Sequence, residues 1–330
     1  MSEEGAMNAD DAAEHLSVTV PALMDSMRVD RALSMLTGCS RAEATRLIEA
    51  GAVSVDDHVV TKASMALQEG SRLEALLPAP HQVVVEPEEA VDVELVYVGD
   101  DYLIVNKRFE QIVHPGAGNA TGTLVAGVIS RFPEVAQLPS EGFGEASRPG
   151  VVHRLDKGTS GLLAIARTPI GFRSLSAQIA ERTMSRRYLG VVEGRVESGQ
   201  GVIEAPIGRS ASTPTKMAIR SDGRFARTDY EVVSRLEDPA RTIVGLTLLT
   251  GRTHQIRVHM AAIGHPIVND PRYGQRNERR LDPERLALHA GLLGLTEPAG
   301  GLAMRFLAPW PEDLMVLGGA EAAAAWLEAS

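Results

Sequence analysis

The chain has 330 residues, 44% of them hydrophobic and 23% charged, which fits a soluble globular protein with room for two domains. No run approaches the ~20 apolar residues of a membrane span, residues 1–16 hold no apolar signal-peptide core, and the single cysteine, Cys39, excludes a disulfide framework and a thiolate metal site. A net charge of −10 argues against a polyanionic partner, but residues 151–290 carry 22 Lys and Arg against 14 Asp and Glu, so a locally basic region can still be steered to phosphate. A cytoplasmic protein without a membrane partner is the expectation.

Residues 1–20 are acidic and poor in anything to bury, the composition of a disordered tail. Residues 21–82 read as a small α/β unit. Val29, Ala32, Leu33 and Leu36 share one face, which predicts a helix over 28–36 ended by Gly38. Ser40 is placed to cap a second helix over 41–50, with Glu43 completing a capping box and Gly51 following. Val53 and Val55 alternate as a strand, Asp56-Asp57 turns it, and Val59-Val60 resumes. Residues 83–92, with Pro87 among Glu86, Glu88 and Glu89, read as a linker. Residues 93–318 form one longer domain. Apolar runs at 95–98 and 102–105 flank Gly99-Asp100-Asp101, a hairpin signal. Further strands are predicted at 112–113, 162–166, 188–192 and 243–249, and helices at 171–182 and 254–263. The Ala-rich residues 319–330 read as a C-terminal helical tail.

The most informative stretch is residues 150–168, Gly-Val-Val-His-Arg-Leu-Asp-Lys-Gly-Thr-Ser-Gly followed by an apolar run. Asp156 stands between His153, Arg154 and Lys157, on a loop that runs straight into a strand. Basic neighbours favour its ionised form, and a fixed carboxylate serves as nucleophile or general base. A surface loop with a salt-bridged Asp is the bland alternative. Gly158-Thr-Ser160-Gly161 is not a hydrolase elbow, since Leu162 stands where a glycine is needed.

Residues 251–259 read Gly-Arg-Thr-His-Gln-Ile-Arg-Val-His, a Gly-led turn opening a helix. Free N–H groups at such a start favour a phosphate or carboxylate, and Arg252 and Arg257 offer planar forks to the same partners. His254 and His259 are five apart and not four, so a zinc pair is not expected. Residues 182–194 contain Arg186-Arg187-Tyr188, and residues 286–290 read Leu-Ala-Leu-His-Ala.

These four stretches resemble the RluA/RluD-type RNA pseudouridine synthases, whose His-Arg-Leu-Asp motif is matched at 153–156. The order of residues 28–62 (Arg28, Asp30, Leu33, Ser40-Arg41, Ile48, Gly51, Val53, Val55, Lys62) resembles the S-four (αL) RNA-binding domain. The resemblance implies an α+β pseudouridine synthase fold, a mixed central sheet with flanking helices and an RNA cleft, preceded by a small α/β RNA-binding domain. It makes Asp156 the indispensable catalytic residue and Tyr188 the residue that stacks on the target base. The arginine paired with the Asp falls on Arg257 by motif alignment, with Arg252 the other candidate. Arg154, Arg252, His254 and Leu288 are then substrate-facing, Leu288 as the apolar contact to uracil. Arg28, Arg41, Arg46 and Lys62 are the RNA-facing basic groups of the small domain. No cofactor and no metal are implied, and the protein is expected to be a monomer. The implied substrate is large-subunit ribosomal RNA, with transfer RNA open. An RNA-binding ribosome-assembly factor that keeps the fold, and an RNA-acting hydrolase using Asp156, are the rival readings. The usual Lys-Pro-x-Gly is Lys107-Arg108-Phe109-Glu110 here, and the usual Asn-Gly turn of the small domain is Asp56-Asp57.

Overall fold

Among the described residues a main hydrophobic core forms on each side of the Gln82–Val83 boundary, with a small third cluster of Ile207, Ala226 and Val258 in the second unit. The structure is a computed structural model that describes residues 14–39, 41–77, 84–116, 119–213, 216–274 and 284–329.

The first unit comprises β1 (Glu14–Thr19), α1 (Val29–Thr37), α2 (Arg41–Glu49), β2 (Val53–Val55), β3 (His58–Val59) and β4 (Arg72–Leu77). Its strands form an antiparallel sheet in the order β1-β4-β2-β3. Val29, Ala32 and Leu33 of α1 and Ala44 and Ile48 of α2 supply its core with Val53 and Leu73. Gly38 ends α1 at φ +73°, its N–H donating to the Ser34 carbonyl at 3.0 Å. Asp56 and Asp57 both adopt positive φ, 49° and 64°, the pattern of the tight hairpin turn that Asn-Gly favours. Asp tolerates that region less well than Gly. Asp57→Gly is therefore expected to stabilise the unit by about 0.5–1 kcal/mol, read as a shift in its denaturant midpoint; a loss of stability would contradict this account of the turn.

The second unit begins with β5 (Leu95–Val98), β6 (Tyr102–Lys107), α3 (Leu124–Arg131), β7 (Ser160–Ala166), α4 (Pro169–Ala180) and β8 (Ser185–Glu193). It continues with β9 (Gln200–Glu204), β10 (Ile207–Arg209), β11 (Met217–Ile219), β12 (Arg227–Glu237), β13 (Ala240–Leu248) and α5 (Gln255–Ala262). β14 (Leu288–Thr296), β15 (Ala303–Leu307), α6 (Glu312–Met315) and α7 (Ala320–Ala329) complete it. Among the described residues the large sheet runs β5-β6-β7-β14-β8-β13-β12-β9, with β15 also on β14. Only β7 and β14 pair in parallel, so the sheet is mixed and the fold α+β. β7 is buried along its whole length, which is why its sequence is a continuous apolar run and not an alternation. Thr168 caps α4 by accepting the Gly171 N–H at 3.1 Å, and Pro169 fits the first helical position.

Several sequence expectations change. The expected tail over 1–20 does not hold at residues 14–19, which pair with β4 as an edge strand whose partners lie far along the chain; residues 1–13 lie outside the described residues, as does Ser40, the expected cap. The expected linker over 83–92 is, from residue 84, packed onto the second unit. Val85 is buried, the Glu88 N–H donates to the Ala126 carbonyl at 3.0 Å, and Val91 and Val93 press on α3 where only a glycine, Gly127, leaves room. Ile112 makes a single bridge to Thr123, so the expected strand at 112–113 is absent. The C-terminal segment is a helix, but it is no separate tail, since Ala323 and Leu327 belong to the main core.

Candidate active site

Asp156 sits on a turn closed by the Thr159 N–H, which donates to its carbonyl at 3.0 Å. β7 starts immediately after. Gly161 has φ +115°, and a Cβ there would stand 2.3 Å from the Ala290 carbonyl oxygen, so glycine is required for β14 to lie against the strand behind the turn. Lys107, at the end of β6, is completely buried. Its Nζ donates to the carbonyls of Arg108 (2.9 Å), Gln111 (2.8 Å) and Lys157 (3.2 Å), which ties the 107–111 loop to the residue after Asp156. Burial pushes its pKa down to about 7, although the Asp156 charge pulls the other way.

The Asp156 side chain is 18% exposed. Oδ2 accepts from Arg257 Nη1 at 3.1 Å and lies 3.9 Å from His254 Nε2. Oδ1 takes no hydrogen bond from the described residues and is open to the cavity in front of it. Arg257, on α5, is only 5% exposed. Its Nε and Nη2 donate to Asp270 at 2.7 and 2.9 Å, a bidentate pair that leaves Nη1 aimed at Asp156. Burial opposes the Arg257 charge, and Asp270 with Asp156 more than offsets it, so its pKa is raised. Burial alone would push the Asp270 carboxyl up. The Arg257 guanidinium, with the N–H groups of Arg272 (2.8 Å) and Tyr273 (3.0 Å), holds it below the ordinary carboxylate range. The Tyr273 ring lies 5.2 Å from the Arg257 guanidinium, and its hydroxyl accepts the Met217 N–H and lies 2.8 Å from His254 Nδ1. Gln255 fixes the start of α5. Its carbonyl accepts from Thr250 Oγ1 (2.7 Å) and the Arg252 N–H (3.1 Å), and its amide donates to the Arg227 carbonyl (2.9 Å).

The cavity measures about 420 Å³ and has Tyr188 and Leu288 in its lining, with Arg154, Arg182 and Arg252 among the basic groups. Tyr188 is 6% exposed. Burial, helped by the Asp156 charge, pushes its phenol up to about 12, so it keeps its proton at neutral pH. Its hydroxyl has no partner among the described residues and is not sealed from the cavity. The arrangement offers one carboxylate with a free oxygen, a neutral phenol and apolar walls in a space fit for a nucleoside.

The RNA pseudouridylate synthase family matches residues 101–262. The RNA pseudouridine synthase YlyB of Bacillus subtilis is 38% identical over 305 residues, 92% of this chain and 96% of that protein. The chain belongs to the RNA pseudouridine synthase family. Ribosomal large subunit pseudouridine synthase D of Nitrosomonas europaea is 36% identical over 312 residues, 92% of this chain and 86% of that one. Among solved structures, Human RNA Pseudouridylate Synthase Domain Containing 1 is similar at a TM-score of 0.56 and 28% identity, over 74% of this chain and 98% of that one. The S4 domain matches residues 27–73.

In this pseudouridine synthase, Asp156, Arg257, His254, Tyr188 and Leu288 come together at one cavity. Arg252 also lines it, but its Nε donates to the Phe225 carbonyl at 3.1 Å; the arginine against Asp156 is Arg257. Arg154 is exposed at the same cavity. Of the basic neighbours expected to act on Asp156, His153 and Lys157 have other partners. His153 Nε2 accepts the Ala164 N–H at 3.0 Å, and burial with the Arg186 charge pushes it down to about 3, so it is neutral. Lys157 pairs with Glu110 at 3.1 Å. In the first unit Arg46 and Lys62 are exposed, while Arg28 (3.0 Å) and Arg41 (2.7 Å) both pair with buried Asp30 and remain half-exposed. The Arg28 guanidinium, with Arg41 beside it, holds the Asp30 carboxyl down to about 2.

Sequence reasoning missed Asp270, Tyr273, Lys107 and Gln255. One signal was available for Asp270. An arginine inside a helix that is buried on most sides needs a counter-charge, and Asp270 is the acid in the segment that follows. For Lys107, replacement by Met would leave three carbonyls without their donor. We expect Lys107→Met to lose about 1–3 kcal/mol of stability and to slow turnover more than it weakens RNA binding, as the Asp156 loop loosens. Thermal unfolding and single-turnover rates check this; unchanged turnover in a folded variant would remove Lys107 from the positioning of Asp156.

Proposed function

We propose that this synthase converts specific uridines to pseudouridine in large-subunit ribosomal RNA, with Asp156 as the group that starts the reaction. The observation that carries the reading is Asp156 held through one oxygen by Arg257 while the other faces a cavity lined by Tyr188 and Leu288. The target uridine must leave its stack, which costs a few kcal/mol and is offset by basic contacts to the backbone. Asp156 Oδ1 then acts on the ribose, by attack at C1′ or by taking a sugar proton, and the bond from N1 to C1′ breaks. The detached base turns and C5 bonds to C1′ as the Oδ1–C1′ bond breaks, or as the sugar proton returns from Asp156; C5 then loses its proton and N1 gains one. Arg257 Nη1 holds the carboxylate in its aim. Tyr188 offers an aromatic face to the base, and Leu288 helps exclude the water that would capture the intermediate.

The choice of ribosomal RNA is supported by the similarity to a ribosomal large subunit synthase and by the match to the S4 domain. A cytoplasmic monomer is part of the same proposal; no described helix is long and apolar enough to cross a membrane. Mapping pseudouridine in total RNA with and without the gene tests it. Loss of specific large-subunit positions is the expected result. Loss confined to transfer RNA would overturn the substrate assignment, and no loss in any RNA would overturn the activity.

A further inference from the structure

Arg186 is the cavity's unexplained charge. β8 alternates its side chains, so Arg187 turns to the opposite face, 5.9 Å from the Trp326 ring, while Arg186 and Tyr188 line the cavity. Arg186 is 6% exposed. No hydrogen bond or ion pair from the described residues reaches its guanidinium; Nε is sealed from solvent without an acceptor. Nη1 lies against Gly251, the glycine that opens the loop to α5, where a Cβ would be only 2.8 Å away. Arg257 and Arg285 are equally buried, and each is neutralised by carboxylates. Arg241 shares the lack of a counter-charge but does not line this cavity.

An unpaired buried cation costs a fold several kcal/mol. No described residue offsets it here, which points to a compensating anion from outside, through the cavity. We propose that Arg186 is a phosphate-binding residue, taking one backbone phosphate next to the target uridine. The proposal rests on the reading of the cavity as the site of an RNA pseudouridine synthase. A phosphate suits it better than a uracil carbonyl for two reasons. A full negative charge matches the fork of a guanidinium. Arg186 is also two residues, roughly 7 Å, along β8 from the tyrosine that faces the base, so it meets a group beside the base.

The test uses the full-length protein and an RNA fragment that it converts. Wild type, Arg186→Met and Arg186→Lys are compared on RNAs carrying a single neutral methylphosphonate at each phosphate flanking the target. Arg186→Met should weaken binding about tenfold and reduce the slope of log affinity against log salt by about one. It should leave the saturated single-turnover rate within about threefold. One methylphosphonate should cost the wild type the same tenfold and cost the Met variant nothing more. Arg186→Lys should retain the salt slope. Without RNA, the Met variant should melt at the wild-type temperature or above it, since a buried unpaired charge has been removed. Equal methylphosphonate losses in wild type and variant, or an unchanged salt slope, would overturn the proposal. So would a Met variant that melts well below wild type or fails to fold, because Arg186 would then be structural. A collapse of the saturated rate with normal binding would place Arg186 on the uracil ring instead. If the wild type converts no uridine in any RNA, the functional reading fails, while binding and its salt dependence still decide the role of Arg186.

Discussion

Asp156→Asn is expected to abolish pseudouridine formation, lowering the single-turnover rate by at least about 10⁴-fold, with RNA affinity and folding close to wild type. The amide keeps the shape of the carboxylate, and its oxygen can still accept from Arg257 Nη1, which approaches at 3.1 Å. It cannot attack the ribose or take a proton. Folding should survive because the main partner of Arg257 is Asp270, which holds two of its three donors. Rapid-mix conversion assays and equilibrium binding on the same preparation check both halves. A folded Asn variant with substantial conversion would remove Asp156 from the chemistry.

Arg257→Met is expected to cost about 3–5 kcal/mol of stability near neutral pH, because it leaves Asp270 buried, charged and without its counter-ion. Its pH dependence should also change sign. In the wild type the Asp270 pKa lies below the ordinary value, so its stabilising contribution is full above ~4, the value of an unfolded Asp, and fades as pH falls through the lower folded value. Without Arg257, burial dominates and raises that pKa above the unfolded one. Protonation then favours the folded state, and the variant gains stability as pH falls through the raised value toward ~4. Denaturant unfolding should show the variant gaining stability as pH falls toward ~4, where the Asp270 contribution to the wild type is flat, and the wild type losing stability below ~4. Parallel slopes would mean that Arg257 is not what depresses Asp270. Turnover should fall as well, since Asp156 loses the donor that aims it. Arg257→Lys keeps a charge but not the fork that spans two carboxylates, so it should recover part of the stability and little of the rate.

Elements with a local periodicity were legible in the sequence. α1 and α2 show their core faces, the helix expected from residue 171 is α4, which starts two residues earlier, and Gly99-Asp100-Asp101 marks the turn between β5 and β6. α3 was not, because six of its eight residues are buried and a helix apolar nearly all round has no amphipathic signature. β12 was hidden by a register shift between Val232 and Ser234, which breaks the two-residue alternation that identifies a strand. β1 carried too little apolar character to be read as anything but a tail, since an edge strand buries little.

The candidate site divides along the same line. The amino-acid sequence by itself determined the family, the two-part organisation and the segments that carry chemistry, because motifs such as His153-Arg154-Leu155-Asp156 are read within a few residues. Which charges meet was decided only by the tertiary structure. Asp156 is partnered by a residue 101 positions away, and its loop is tied down by a lysine 50 positions away, while Lys157, its immediate neighbour, pairs with Glu110. The physical reason is the sheet. Pairing β7 with β14 and β14 with β8, and passing the chain from β13 into α5, brings distant segments to one cavity. Burial there makes every unpaired charge costly, so the ion pairs follow from what the packed fold encloses and not from what adjoins in the chain.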